Sequence, residues 1–146
     1  MATISGRAVL ITGGNRGIGA ALVAEALHRG ARRVYVGTRK ALAGNGDSRV
    51  ARVDSLDVLV NNAGLAVYDD LGDAAALRTH LAVNLLGTYD VIQAFLPMLT
   101  RSGGSIVNNL SVNALAPLPL IPAYSISKAA AFSLTQSLRV ILAGRG

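Results

Sequence analysis

The chain has 146 residues, enough for one domain with a single buried core. Hydrophobic residues make up 51% and charged residues 15%, which excludes a disordered tract and leaves apolar surface for a subunit contact. The net charge of +6 comes from scattered or paired basic residues with only 4% aromatics and no cysteine; this argues against a nucleic-acid surface and for an anionic small ligand, excludes disulfides and thiolate chemistry, and is consistent with a cytoplasmic address.

The N-terminal "MATISGRAVLITGG" has no basic flank before a long apolar core, so no secretory signal is expected. Its "RAVLITGG" is a short β-branched run ending in glycine and predicts a buried strand. "GIGAALVAEALHRG" predicts a helix with Ile18, Leu22 and Ala26 on one stripe and Gly30 as its terminating residue. "RRVYVGT" predicts a second strand, "RKALAGNGDSR" a loop or short helix, and "LDVLVNNAG" a third strand entering a turn. Asp73 is placed to cap a helix over roughly residues 74 to 100, with Leu77, Leu81, Leu85, Val91, Ile92 and Phe95 inward and Gly87 hinting at a close approach. No uninterrupted apolar run reaches about 18 residues, so no membrane span is expected. "GGSIVNNLS" predicts a fourth strand ending at Ser111, and an apolar loop, "VNALAPLPLIPA", leads to a last helix from about 123 to 143. Strands alternating with helices imply a parallel sheet covered on both faces, with ligands at the carboxyl ends of its strands.

"TGGNRGIG", residues 12 to 19, links the first strand to its helix. Gly13 and Gly14 allow a tight turn, Gly17 lets the backbone approach a pyrophosphate, and Gly19 permits close helix-strand packing, while the helix N-terminus offers N–H groups to phosphate. A dinucleotide fold usually carries an acid about 20 residues on, for the adenosine ribose. That place reads "GTRK", and no Asp or Glu occurs between Glu25 and Asp47. Arg39, with Arg16, is suited to a 2′-phosphate instead, which points to NADP(H) over NAD(H).

In "AYSISKAA" Tyr124 and Lys128 are i and i+4 neighbours on a helix, and an ammonium beside a phenol favours the phenolate. Ser111, Tyr124 and Lys128, in order after the glycine loop and "NNAG" (61 to 64), resemble the short-chain dehydrogenase/reductase family. The resemblance implies a Rossmann-type doubly wound parallel sheet in a single domain spanning residues 1–146. Tyr124 would be the general acid or base, Lys128 its charged neighbour and a ligand of the nicotinamide ribose, and Ser111 the group that polarises the substrate oxygen. Asn84 would position a water toward the lysine. Asn15, Ile18, Asn62, Ala63 and Gly64 would join Gly13, Arg16, Gly17, Gly19 and Arg39 around the cofactor. The activity implied is NADP(H)-dependent interconversion of a carbonyl and a secondary alcohol on a small or medium, fairly apolar substrate, in a homodimer or homotetramer joined through the two long helices. A non-catalytic dinucleotide-binding or scaffolding module of the same fold is the alternative.

Other residues offer less. His28 and His80 sit on predicted helices without metal-ligand spacing and are expected to be structural or solvated. Asp69, Asp70 and Asp73 fit a loop and helix cap better than a cation site. The apolar loop with Leu115, Leu118, Leu120 and Ile121 fits a substrate cleft, core or a subunit contact equally. Relative to the family, "RKALAGNGDSRVARVDS" is too short for a further strand, an adenine-contacting acid and a helix, and neither Asp47 nor Asp54 matches that acid. The chain also stops at "ILAGRG", before the family's further strands and substrate-covering segment, so the sheet is expected to be abbreviated at both edges. The survival of every catalytic position favours a piece of a longer enzyme over a shortened chain with weak turnover.

Overall fold

A computed structural model describes residues 3–38, 53 and 55–144. They fall into two compact units, one holding residues up to Asn62 with Phe95–Val107, the other Ala63–Ala94 with the chain from Asn108 on.

The first unit is built on a four-stranded sheet. Strand β1 (Ala8–Thr12) pairs in parallel with β2 (Arg33–Gly37) on one side and β3 (Val58–Asn61) on the other, and β4 (Ser105–Asn108) lies beyond β3. Central position explains the composition of β1: Ala8, Val9, Leu10 and Ile11 are all buried, as expected of a strand covered on both faces. The register sets Val9 beside Val34 and Val58, so β-branched side chains stack across three strands. Helix α1 (Gly17–His28) lays Leu22, Val23 and Ala26 on the cluster of Val9, Ile11 and Val58. Gly30 ends it as expected: at φ 77 its N–H reaches Leu27 O at 3.0 Å, and Ala31 N reaches Ala26 O at 3.0 Å, a Schellman closure. Ile18 departs from the expected stripe. It lies in the first turn, 67% exposed, and the packed row is Gly19, Leu22, Val23 and Ala26 instead.

At the amino ends of the strands Asp57 acts as a clasp. Its Oδ2 accepts the Ala8 N–H at 2.7 Å, its Oδ1 lies 3.6 Å from Arg7 and its Oδ2 3.8 Å from Arg32, while Ser105 N bonds its carbonyl at 2.9 Å. One residue thereby joins β1, β3 and β4 at their starts.

In the second unit, α2 (Ala74–Leu81) passes through a π turn (Ala82–Leu86) into α3 (Gly87–Ser102), whose residues from Phe95 on belong to the first unit. Asp73 caps α2 as the sequence predicts, its Oδ1 accepting the Ala75 N–H at 2.7 Å. The last helix, α4 (Pro122–Leu142), packs against α2, the π turn and a 3₁₀ turn at Val112–Ala114. The expected inward row of leucines is only half-buried: Leu77, Leu81 and Leu85 flank a face whose most buried members are His80, Asn84 and Ile92. The buried face of α2 and the π turn is thus centred on His80 and Asn84, one position before Leu81 and Leu85, while Ile92 beyond the turn is buried as expected. Gly87 stands directly after that turn, where a Cβ would sit 3.4 Å from Ala82 O. The run Ala74–Ser102 is long and apolar enough to cross a membrane by length and composition alone, a property shared with core helices. Among the described residues every buried side-chain polar atom has a hydrogen-bond partner.

Replacing the clasp tests this account of the first unit. Asp57→Ala strands the Ala8 N–H and removes the carboxylate that Arg7 and Arg32 share, and should lower unfolding stability by about 2 kcal/mol, read from denaturant midpoints.

Candidate active site

The glycine loop follows β1 directly. Gly13 and Gly17 have positive φ, 67 and 52, conformations that L side chains rarely adopt. A Cβ on Gly19 would run into Gly13 O and the Asn62 side-chain nitrogen, so only glycine fits where α1 crosses the loop. Asn62 pins the same turn. Its Nδ2 donates to Thr12 O at 3.1 Å and its backbone N–H to Thr12 Oγ1 at 3.0 Å. The second asparagine of "NNAG" therefore ties the end of β3 to the loop after β1, and Gly13 N–H donates to Gly37 O at 2.7 Å to bring in the end of β2.

These residues fit a dinucleotide. Arg16, the N-cap of α1, gives no side-chain cap, and no acid lies in the first turn. The leading N–H groups therefore meet no carboxylate from their own turn, and an anionic group would suit them. Asn15, Arg16, Gly17 and Ile18 are all exposed. Ile18, read from periodicity as core, is thus available as an apolar contact. Arg39 lies outside the described residues, as do Asp47 and Asp54.

The second unit gathers the remaining candidates. Tyr124 and Lys128 share a face of α4, with Lys128 Nζ 5.7 Å from the Tyr124 ring centroid. Lys128 is only 7% exposed and donates to Asn109 O at 2.8 Å. Burial holds its pKa below the ordinary lysine value, because desolvation disfavours the charged form.

Ser111 follows β4 by three residues instead of ending it. Its extended backbone caps the 3₁₀ turn, and its Oγ accepts the Asn113 N–H at 3.2 Å. Asn84 stands in the π turn, 2% exposed. Its Nδ2 donates to Leu65 O at 2.8 Å and Ser127 Oγ at 2.9 Å, and its Oδ1 accepts the Leu65 N–H at 2.8 Å. Ser127 Oγ in turn donates to Tyr124 O at 2.7 Å. The amide thus links the segment after "NNAG", which begins with the exposed Ala63 and Gly64, to the turn of α4 that bears Tyr124 and Lys128.

Three contributors escaped the sequence reading. Ser127 sits inside the quoted motif and is fully buried. Asp69 caps α4 from 54 residues away, its carboxylate accepting the Ala123 N–H at 3.3 Å; Ile121, the local cap position, supplies no side-chain bond. His80 is buried and hydrogen-bonded, so structural in the expected sense, but its ring also faces Tyr124. The available signal was His80, Asn84 and Thr88 at four-residue spacing, a polar row within an apolar helix. His28, in contrast, is exposed beside Glu25. Of the apolar loop, Leu115, Leu118 and Leu120 are exposed, which removes the core reading for them and leaves the cleft and the subunit contact.

Residues 46–146 match the family model for short chain dehydrogenases. The chain is 35% identical to a probable galactose dehydrogenase of Rhizobium meliloti, over 90% of this chain and 64% of that protein. It is 32% identical to the 2-(S)-hydroxypropyl-CoM dehydrogenase 3 of Xanthobacter autotrophicus, over 94% of this chain and 66% of that one. The chain thus spans about two thirds of the length of these relatives. A short chain dehydrogenase from Burkholderia cenocepacia, crystallised in complex with NADP, superimposes with a TM-score of 0.89 at 35% identity, covering 99% of this chain and 70% of that one. The ligand-free aldohexose dehydrogenase of Thermoplasma acidophilum gives 0.85 at 27% identity, covering 97% and 64%.

Two measurements probe the separate units. Gly19→Ala should weaken nicotinamide dinucleotide binding at least about tenfold in a fluorescence titration, because the glycine lets helix and loop meet. For Lys128 the folded pKa is lowered, so between that value and about 10.4 the unfolded chain binds more protons. The burial cost is therefore present at neutral pH and relieved as pH rises through that window. Denaturant titrations at about pH 7 and about pH 10 should show the parent gaining stability relative to Lys128→Met at the higher pH.

Proposed function

For a chain that belongs to the short-chain dehydrogenase/reductase family, with its α/β Rossmann-like parallel sheet, we propose NADP(H)-dependent interconversion of a carbonyl and a secondary alcohol. The observation that carries the reading is the lysine ammonium 5.7 Å from the ring centre of Tyr124, on a helix turn fixed by Asn84 and Ser127.

When bound, the nicotinamide supplies or accepts the hydride. The chain's own work is then protonic and electrostatic. In reduction, negative charge grows on the carbonyl oxygen, and Tyr124 hands its hydroxyl proton to that atom; in oxidation it takes the proton back. Lys128 offsets the charge left on the phenol oxygen and holds a ribose hydroxyl, and Ser111 donates to the substrate oxygen. Asn84 spends its side-chain donors on Leu65 and Ser127, so its part is to hold the turn under Tyr124 and Lys128. Gly13, Asn15, Arg16, Gly17, Ile18, Gly19, Asn62, Ala63 and Gly64 serve the cofactor, and Arg39 with Arg16 selects the 2′-phosphate. A relative crystallised with NADP supports this choice. The exposed Val112, Leu115, Leu118 and Leu120 favour a small or medium apolar substrate.

We assign the protein to a homo-oligomer formed through its long helices, on the strength of Leu86 and Tyr89 in the π turn and α3 and Ile126, Val140 and Ile141 on α4, all exposed. Light scattering should report a dimer or tetramer, and a monomer would remove the assignment.

The catalytic reading is tested by NADPH oxidation against a panel of small carbonyl compounds. Tyr124→Phe should retain NADPH binding and lose about three orders of magnitude in kcat. Binding without turnover by the parent on any compound favours a non-catalytic dinucleotide-binding module. Arg39→Ala should weaken NADPH much more than NADH, and equal losses would reverse the cofactor preference.

A further inference from the structure

His80 stands in the last turn of α2, 1% exposed, and has no part in the chemistry above. Both of its ring nitrogens are engaged. The Val67 N–H points at Nε2 at 3.1 Å, and Nδ1 lies 2.8 Å from Ala76 O. An amide donor requires a lone pair on Nε2, and a carbonyl requires a hydrogen on Nδ1. The contacts therefore assign a neutral imidazole in its Nδ1–H tautomer and fix the plane of the ring. That ring meets Tyr124 edge to face, with centroids 6.4 Å apart and planes inclined at 70°. Within this geometry aromatic pairs attract and resist rotation.

We propose that His80 is a positioning residue for Tyr124: its ring is locked by Ala76 and Val67 and is a rigid aromatic partner that sets the tyrosine ring's orientation beside Lys128. The inference rests on the reading of Tyr124 as the proton-transfer group. The supporting elements converge on the same place. The segment from Leu65 to Asp69 is bound through its main chain at alternate residues, Leu65 to Asn84, Val67 to His80 and Asp69 N–H to Leu120 O at 3.3 Å. Asp69 closes the circuit by capping α4 at Ala123, next to Tyr124. Histidine suits position 80 because it alone among aromatic side chains offers a ring together with an acceptor for Val67 and a donor for Ala76.

Two substitutions separate ring contact from mere structural support. His80→Gln can keep an acceptor for Val67 but loses the ring; His80→Phe keeps the ring and loses both hydrogen bonds. If the ring positions Tyr124, His80→Gln should lower kcat about tenfold with NADPH affinity unchanged, and His80→Phe only about threefold, although the phenylalanine variant melts at the lower temperature. A structural histidine gives the opposite order, with turnover following melting temperature, and that result overturns the proposal. A second readout needs no turnover. With two histidines and four tyrosines, ring NMR signals are few enough to assign. His80 should show the Nδ1–H tautomer and contacts to the Tyr124 ring protons, and His80→Gln should move the Tyr124 signals. An Nε2–H tautomer, or Tyr124 signals that stay fixed in His80→Gln, also overturns it. Full turnover by Tyr124→Phe would instead remove the proton-transfer reading and leave the NMR result to judge the contact alone.

Discussion

The carboxamide of Asn84 is the constraint on which the second unit depends. Both of its N–H groups are committed, one to Leu65 and one to Ser127, and its oxygen takes the Leu65 N–H. A buried amide with its donors satisfied is stable, and one with a missing partner costs about 1–3 kcal/mol. Leu65 and Ser127 therefore cannot drift from the π turn independently. Because Ser127 also bonds the Tyr124 carbonyl, the tie ends one peptide from the phenol. The π turn belongs to this arrangement, since the extra residue lets an otherwise apolar helix turn an asparagine inward.

The interior so formed is unusual in kind. Buried groups of the first unit are mostly aliphatic, among them Val9, Leu10, Ile11 and Leu59, with Asn61 a buried polar exception. Those of the second include His80, Asn84, Ser125, Ser127 and Lys128. Aliphatic packing tolerates small slips, whereas a hydrogen-bonded polar cluster has few alternative arrangements of comparable energy. A scaffold for the cofactor can use the first kind. The proton transfer proposed for Tyr124 would need atoms held closely in place, which the second kind of interior suits. The cost appears in Lys128, whose charge is disfavoured by the same burial that orients it.

Much of this was legible in the sequence, and the remainder failed for identifiable reasons. Strands such as "AVLIT" and "VLVN" announce themselves by short apolar runs rich in β-branched residues, and Gly30 and Asp73 mark helix ends by local chemistry. The Tyr124–Lys128 face follows from helical spacing alone. Ile18 misled because periodicity cannot tell a first turn beyond the packed row from one within it. The leucines of the long helix misled because a stripe read from apolar spacing passes over the adjacent polar row, and it is His80 and Asn84 that are buried. Asp69 was read as a loop acid because its partner lies 54 residues on, and distance along the chain hides a cap supplied from elsewhere. His80 was judged by metal spacing, a test blind to a ring that works by orientation.

The segment running from Leu65 to Asp69 is fastened by its peptide groups and the Asp69 carboxylate, so the side chains of Ala66 and Tyr68 are spared that duty. Ala66 and Tyr68 point into solvent, the tyrosine 80% exposed. Selection can therefore exchange these two for bulkier, smaller or charged groups while the fastening persists, because every residue except proline brings the same N–H and C=O. Rigidity and novelty, often opposed in protein evolution, are here assigned to alternate residues of one short segment.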